Sequence, residues 1–223
     1  MGLKERRERE RSELRTRIMD AARQLFLREG YDAVSMRRIA DAIEYSPTAI
    51  YVYFKDKESL IREMCRVDFG NLAGAVGNLA KIADPIERIR QLGVAYIRFA
   101  VQKPNHYRLM FMTTFSGIGP TAADIERKNN PDQDAYAFLI QAVREGLAAG
   151  RFRPELTSAE LIAQVLWSAV HGVASLHIVK ANDPWLEWAP LEQRTNLAVD
   201  AILRGLVRED SGKKTAPAKG KKR

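Results

Sequence analysis

The chain has 223 residues, of which 46% are hydrophobic, 29% charged and 8% aromatic. That make-up allows a sizeable buried core and matches an ordinary soluble globular protein. No run approaches 18 uninterrupted apolar residues, and the start, Met1-Gly2-Leu3-Lys4-Glu5-Arg6-Arg7-Glu8-Arg9-Glu10, lacks the apolar region of a secretory signal, so a cytoplasmic protein with no membrane partner is expected. The single cysteine, Cys65, excludes an internal disulfide and fits the same reducing compartment. The formal charge is +8, but Lys213, Lys214, Lys219, Lys221, Lys222 and Arg223 carry +6 of it, leaving +2 for residues 1–210. A nucleic-acid partner therefore has to be argued from motif and placement.

Residues 1–12 alternate base and acid and read as a charged flexible arm, solvated or continued as a frayed helix, with Ser12 as the cap of a first helix. Ile18, Ala21, Ala22, Leu25 and Phe26 then recur at helical spacing and give one narrow apolar face, stopped by Gly30. Ser35 caps a short second helix whose apolar face is Met36, Ile39, Ala40 and Ile43. Ser46 caps a third, with Pro47 in its first turn. Asp56 opens a fourth and longer one through Leu60, Ile61, Met64 and Val67. Further helices are predicted near 57–80, 85–102, 105–114, 132–149, 158–180 and 191–208, with a loop over 115–130. No period-2 strand series and no internal repeat is evident. Residues 211–223 lack large apolar side chains and read as a disordered basic tail. The fold class is therefore all-α, with about nine helices.

Residues 35–54 combine two short helices and a tight turn, which is the layout of a helix-turn-helix. Ile50 and Phe54 take the core side of the second helix. Ser46, Pro47, Thr48, Ala49, Tyr51, Val52 and Tyr53 are left for a major groove, as small residues and tyrosines suited to close approach. Lys55 and Lys57 follow as phosphate partners, and Arg37 and Arg38 sit on the first turn of the preceding helix. Taken singly, a Ser-Pro-Thr start, an Arg-Arg pair or spaced tyrosines are ordinary caps, surface and packing. It is the ordered set that points to DNA.

That ordered set resembles the TetR (tetracycline-repressor) family over about residues 14–62: Ile18-Met19-Asp20-Ala21-Ala22, Leu25-Phe26, Gly30-Tyr31, Ser35, Ile39-Ala40, Tyr45-Ser46-Pro47 and Ile50-Tyr51-Val52-Tyr53-Phe54-Lys55-Asp56-Lys57-Glu58-Ser59-Leu60. The resemblance implies a DNA-binding domain over 13–62 and an effector-binding, dimerising domain over 63–210. It implies DNA contacts from Ser35 and Arg37, from Pro47, Thr48, Ala49, Tyr51, Val52 and Tyr53, and from Lys57. It also implies a homodimer formed through the last two long helices. One position departs: the family usually has glycine in the turn where Glu44 stands. A left-handed backbone there costs a non-glycine residue about 1–2 kcal/mol.

In the second half, Trp167-Ser168-Ala169-Val170-His171-Gly172 and Pro104-Asn105-His106-Tyr107-Arg108-Leu109-Met110-Phe111 resemble a TetR subgroup marked by a Trp-x-x-x-His-Gly signature. Gly172 is expected to let a neighbouring helix come close. Tyr96, Phe99, Tyr107, Met110, Phe111, Phe138, Trp167, Val170 and His171 are the candidate wall of an effector pocket for an apolar or aromatic molecule. For Trp167 and His171 the alternative is plain packing with a hydrogen-bonded core histidine. Leu161, Ile162, Val165, Leu166, Leu176, Leu197, Ile202, Leu203 and Leu206 are candidates for a four-helix dimer interface.

The functional expectation is a repressor released from a palindromic double-stranded DNA operator by a small effector. An activator, or an effector-independent architectural DNA-binding protein, stays open beside it. No metal-spaced Cys/His cluster, phosphate-binding glycine loop or Gly-x-Ser-x-Gly turn is present. No enzyme, cofactor or metal is therefore expected.

Overall fold

The computed structural model describes residues 2–115 and 118–208. Ten α-helices and one 3-10 turn make up the described residues: α1 (Leu3–Glu29), α2 (Met36–Ala42), α3 (Pro47–Tyr51), α4 (Lys57–Gly77), α5 (Pro85–Gln102), α6 (Pro104–Phe111), α7 (Ala122–Arg127), α8 (Ala135–Ala148), α9 (Ala159–Lys180) and α10 (Leu191–Leu206), with the turn at Asn78–Lys81. The all-α class holds, with one helix more than the nine counted from sequence. The basic tail expected over 211–223 lies outside the described residues.

Short side chains start most of these helices. Ser35, Ser46, Asp56, Asp84, Asp134 and Ser158 each accept a hydrogen bond from an amide of the first turn. Pro47, Pro85 and Pro104 occupy first-turn positions, where their missing N–H costs nothing. Two expectations are corrected. The segment over 1–12, read as an arm or a frayed helical extension, is helical from Leu3, in one piece with the helix expected to begin at Ser12. Its helical state is supported by Arg6–Glu10 and Arg9–Glu13 ion pairs one turn apart. The loop over 115–130 contains α7, started by a reciprocal cap between Thr121 and Asp124.

Two cores form. One lies between α1, α2, α3 and the first turns of α4, around Ile18, Phe26, Ile39, Ile50, Leu60 and Met64. The other is built by α4, α5, α8, α9 and α10, around Val76, Ile97, Tyr107, Ile162 and Leu203. Helix α4 belongs to both, so the boundary near residue 62 falls inside a continuous helix. Helix α6 is shared as well: Leu109 is fully buried in the first core, while its neighbour Tyr107 is buried in the second.

Close packing in the second core depends on Gly93. A Cβ there would stand 3.1 Å from Val170 Cγ1 and 3.3 Å from Val199 Cγ2, so its absence lets α9 and α10 press onto α5. Gly172, expected to serve that purpose, faces open space within the chain. Beyond α8, Phe152 bridges to Val207, and Arg153 N and Arg208 N donate to Leu206 O and Arg151 O at 3.0 and 2.9 Å. These bonds tie the end of α10 to the segment after α8.

Candidate nucleic-acid interface and effector cavity

Helix α3 is held by its apolar side and leaves its polar side free. Ile50 and Phe54 are buried in the first core. Ser46, Thr48, Tyr51, Val52 and Lys55 are exposed, with Tyr51 and Val52 at 53% and 67%, while Pro47, Ala49 and Tyr53 are half-buried. The hydroxyls of Ser35 and Ser46 accept from Arg38 N (3.1 Å) and Ala49 N (3.2 Å), which leaves each hydroxyl proton for a phosphate oxygen.

Charge around α3 is partly committed. Arg37 is exposed, but Arg38 reaches Glu29 at 3.1 Å. Arg28 and Arg38 beside Glu29 hold its carboxyl below the usual range. Lys57 donates to Tyr31 O at 2.7 Å and lies 4.2 Å above the Tyr31 ring. Its ammonium is thus anchored beside the head instead of projecting from it. The turn between α2 and α3 is left-handed at Glu44, with φ 60°.

In the second core a cavity of about 940 Å³ opens between α4, α5, α6, α8, α9 and α10. Of the nine residues expected there, Tyr96, Met110, Phe111, Trp167 and Val170 stand on its wall. The other four expected residues stand behind that wall: Phe99, Tyr107 and Phe138 are buried core, and His171 packs against Tyr107 with ring centres 5.5 Å apart. Sequence reasoning missed the aliphatic wall, including Leu72, Ile89, Leu92, Leu139 and Leu166. It also missed the charged side formed by Arg62, Arg66, Asp124, Arg127 and Lys128. Leucines at helical spacing carry no mark that separates a cavity wall from filled core.

A network of hydrogen bonds backs the aromatic wall. Trp167 Nε1 donates to Tyr96 Oη (3.0 Å), Tyr96 Oη donates to Tyr107 Oη (3.0 Å), and His171 Nδ1 lies 2.6 Å from Tyr107 Oη and 3.2 Å from Tyr96 Oη, with the imidazole tautomer setting the direction of these last contacts. Burial lowers the His171 pKa and raises those of both tyrosines, so all three stay neutral. Trp167 and His171 therefore share a network, with the indole on the wall and the imidazole behind it. Cys65 borders the cavity too, and burial pushes its thiol up to about 11, which leaves it protonated and inert. Among the described residues no group of three or more potential metal ligands occurs.

Between interface and cavity lies a buried ion cluster. Arg23 of α1 forks onto both oxygens of Asp68 of α4 at 3.1 Å, and His106 Nδ1 of α6 meets the same carboxylate at 2.7 Å. Asp68 is fully buried. Arg15 of α1 holds Glu63 of α4 at 2.7 Å, and with Arg66 it lowers the Glu63 carboxyl to about 2. Arg62 also donates to Gly119 O.

Residues 18–64 match the family described as bacterial regulatory proteins, tetR family, and residues 89–201 match the tetracyclin repressor-like C-terminal domain. The HTH-type transcriptional regulator UidR of Escherichia coli (strain K12) is 26% identical over 182 residues, covering 76% of this chain and 83% of that protein. The HTH-type transcriptional activator FasR of Mycolicibacterium smegmatis is 29% identical over 144 residues, covering 64% of this chain and 65% of FasR. A solved TetR family transcription regulator from Marinobacter aquaeolei VT8 superposes with a TM-score of 0.72 over 90% of this chain and 98% of that one, at 20% identity, a likeness of fold.

Proposed function

Since the chain belongs to the TetR family and is a DNA-binding transcriptional regulator rather than an enzyme, we propose that it is a repressor that leaves a palindromic operator when a small apolar or aromatic effector fills the cavity. The observation that carries this reading is α3: its apolar side is buried, and Ser46, Thr48, Tyr51 and Val52 stand outside on a face free to enter a major groove. Ser35, Arg37 and Lys55 flank it as backbone contacts, while Lys57 acts through Tyr31 to fix the start of α4. Such a protein works in the cytoplasm, where its DNA is.

The effector chemistry follows from the cavity. Its wall is aliphatic and aromatic, and the wall's own polar atoms, Trp167 Nε1 and Tyr96 Oη, already bond each other. An apolar body is therefore recognised by shape, with a polar handle at the Arg62–Lys128 side. Helices α4 and α6 carry the response. Met110 and Phe111 touch the cavity, His106 holds Asp68, and Leu109 sits in the first core, where α6 packs on α1 and α4. A ligand that favours one placement of these helices moves the head by as much as it prefers that placement.

The homodimer is part of the proposal, because one short recognition helix reads too few base pairs. Two heads on a two-fold axis read half-sites about 34–36 Å apart, or a multiple of that. The test is enrichment of duplexes from a random-sequence library, followed by footprinting. Protection of a short inverted repeat is expected, and Tyr51→Ala, which removes an exposed side chain, should weaken binding at least tenfold with an unchanged thermal transition. Uniform coating of any duplex would favour the architectural reading instead. Unaltered affinity of Tyr51→Ala would take that tyrosine out of the contact set.

A further inference from the structure

We propose that the first turns of α1 are a second DNA-contacting element, in which Lys4, Arg7 and Arg11 hold the sugar-phosphate backbone beside the groove entered by α3; this rests on the reading of α3 as the recognition helix. Helical geometry selects these three residues. At 3.6 residues per turn, Lys4, Arg7, Arg11, Leu14 and Ile18 follow one stripe of α1. Toward the C-terminal end that stripe is core: Ile18, Ala22 and Leu25 are buried, and Leu14 packs against the same cluster. Toward the N-terminal end, where α1 runs past the head, the same stripe turns basic.

Of the acids in this segment Glu5, Glu10 and Glu13 lie on other faces, while Glu8 stands at the edge of the stripe, one turn from both Lys4 and Arg11. Glu10 takes Arg6 at 2.7 Å, Glu13 takes Arg9 at 3.6 Å, and Glu5 accepts from Gly2 N at 2.9 Å. Lys4, Arg7 and Arg11 have no acid partner among the described residues. The alternation of base and acid thus sorts into a neutralised side and a stripe with three cations against the one acid at its edge, Glu8.

The stripe is continuous with the α3 surface. The Arg11 guanidinium lies 6.0 Å from the Tyr53 ring centre, and that of Arg17 lies 5.6 Å from Tyr45, so α1 passes beside both ends of Pro47–Tyr51. The other half of α1 is pinned to the C-terminal domain through Arg23 and Asp68. Its free end therefore projects on the side of the molecule that carries α3. From Arg11 to Lys4 the axis advances about 10 Å at 1.5 Å per residue, enough to meet more than one phosphate of an adjoining strand.

The full-length chain and its variants are compared on a duplex enriched from a random library by the wild type. Lys4→Gln/Arg7→Gln removes two stripe charges and leaves the Arg11–Tyr53 contact in place. Arg6→Gln/Arg9→Gln removes the same charge from the neutralised side. Each lost phosphate contact lowers the slope of log K against log salt by about 0.9. The first variant should thus lose about 1.8 in slope and show hydroxyl-radical protection that shrinks outside the half-sites. The second variant, and the charge-keeping Lys4→Arg/Arg7→Lys, should retain the wild-type slope. Equal slopes for wild type and Lys4→Gln/Arg7→Gln overturn the added contacts and leave α3 standing. An equal loss in both glutamine variants overturns the stripe and points to net charge alone. A wild type that enriches no duplex overturns the α3 reading, and this one with it.

Discussion

Glu44 holds its backbone at φ 60° between α2 and α3, where an L side chain crowds the following carbonyl. Nothing offsets the strain, because the side chain is exposed and no hydrogen bond or ion pair to it occurs among the described residues. The turn itself is secured by the main chain: Glu44 N donates to Asp41 O at 3.3 Å, and Tyr45 N to Ala40 O at 3.0 Å. Glu44→Gly therefore removes the strain and keeps those bonds, at the cost of a more flexible unfolded chain. The balance is a gain of up to about 1 kcal/mol, read as a melting temperature raised by about 2–4 °C. A lowered melting temperature would show that the Glu44 carboxylate has a stabilising role the geometry does not reveal. The departure was legible through the family resemblance, because the family usually has glycine where Glu44 stands. Asn129, the other described non-glycine residue with positive φ (72°), belongs to a residue type that tolerates it.

At the scale of elements, helix starts were legible because their signals are local. A serine or aspartate that accepts from an amide two or three residues on marks its own helix, and α5, expected near 85–102, is observed at Pro85–Gln102. The start of α1 was not legible: a helix polar on every side, supported by Arg6–Glu10 and Arg9–Glu13, has no apolar period to read. Helix α7 was hidden for a related reason, since none of its six residues is buried. What joins α1, α4 and α6 was also beyond pattern reading, because Arg23, Asp68 and His106 lie far apart in the chain. Together they join the head, the shared helix and the cavity side. Asp68 has no access to water, and Asp68→Ala leaves the buried Arg23 with only the half-exposed Asp20, 2.7 Å away, as counter-charge, so a loss of up to about 3 kcal/mol is expected. Arg23→Leu/Asp68→Leu, which removes both charges, should recover a large part of it. Chemical denaturation of both variants decides the matter; a double variant no better than Asp68→Ala would mean that shape, not charge, holds the three helices together.

At the scale of the molecule, α9 is covered on one side only. Ile162, Leu166, Val170 and Ala174 pack into the second core, while Leu161, Leu176 and Val179 are exposed on the other side, beside Ser168 and the open face of Gly172. Leu197 of α10 is 71% exposed, and Trp185 and Leu186 between the two helices are exposed as well. Of the helices described, α9 alone is long and apolar enough to cross a membrane, and its inner face is already packed on α5, α8 and α10. Apolar side chains aligned this way on two adjacent helices suit a second copy related by a two-fold axis, each α9–α10 pair completing the other. The sequence-level candidates for that surface separate accordingly: Ile162, Leu166 and Leu203 belong to the protomer's own core, and Leu161, Leu176 and Leu197 remain for a partner. Leu176→Arg/Leu197→Arg places two cations at solvent-exposed positions, so the protomer should keep its helical content and lose only the part of its melting temperature that depends on protein concentration, while light scattering reports one chain instead of two. Operator affinity should fall with it, since a lone head holds one half-site. A variant that still scatters as a dimer would move the interface away from α9 and α10, and with it the spacing expected between half-sites.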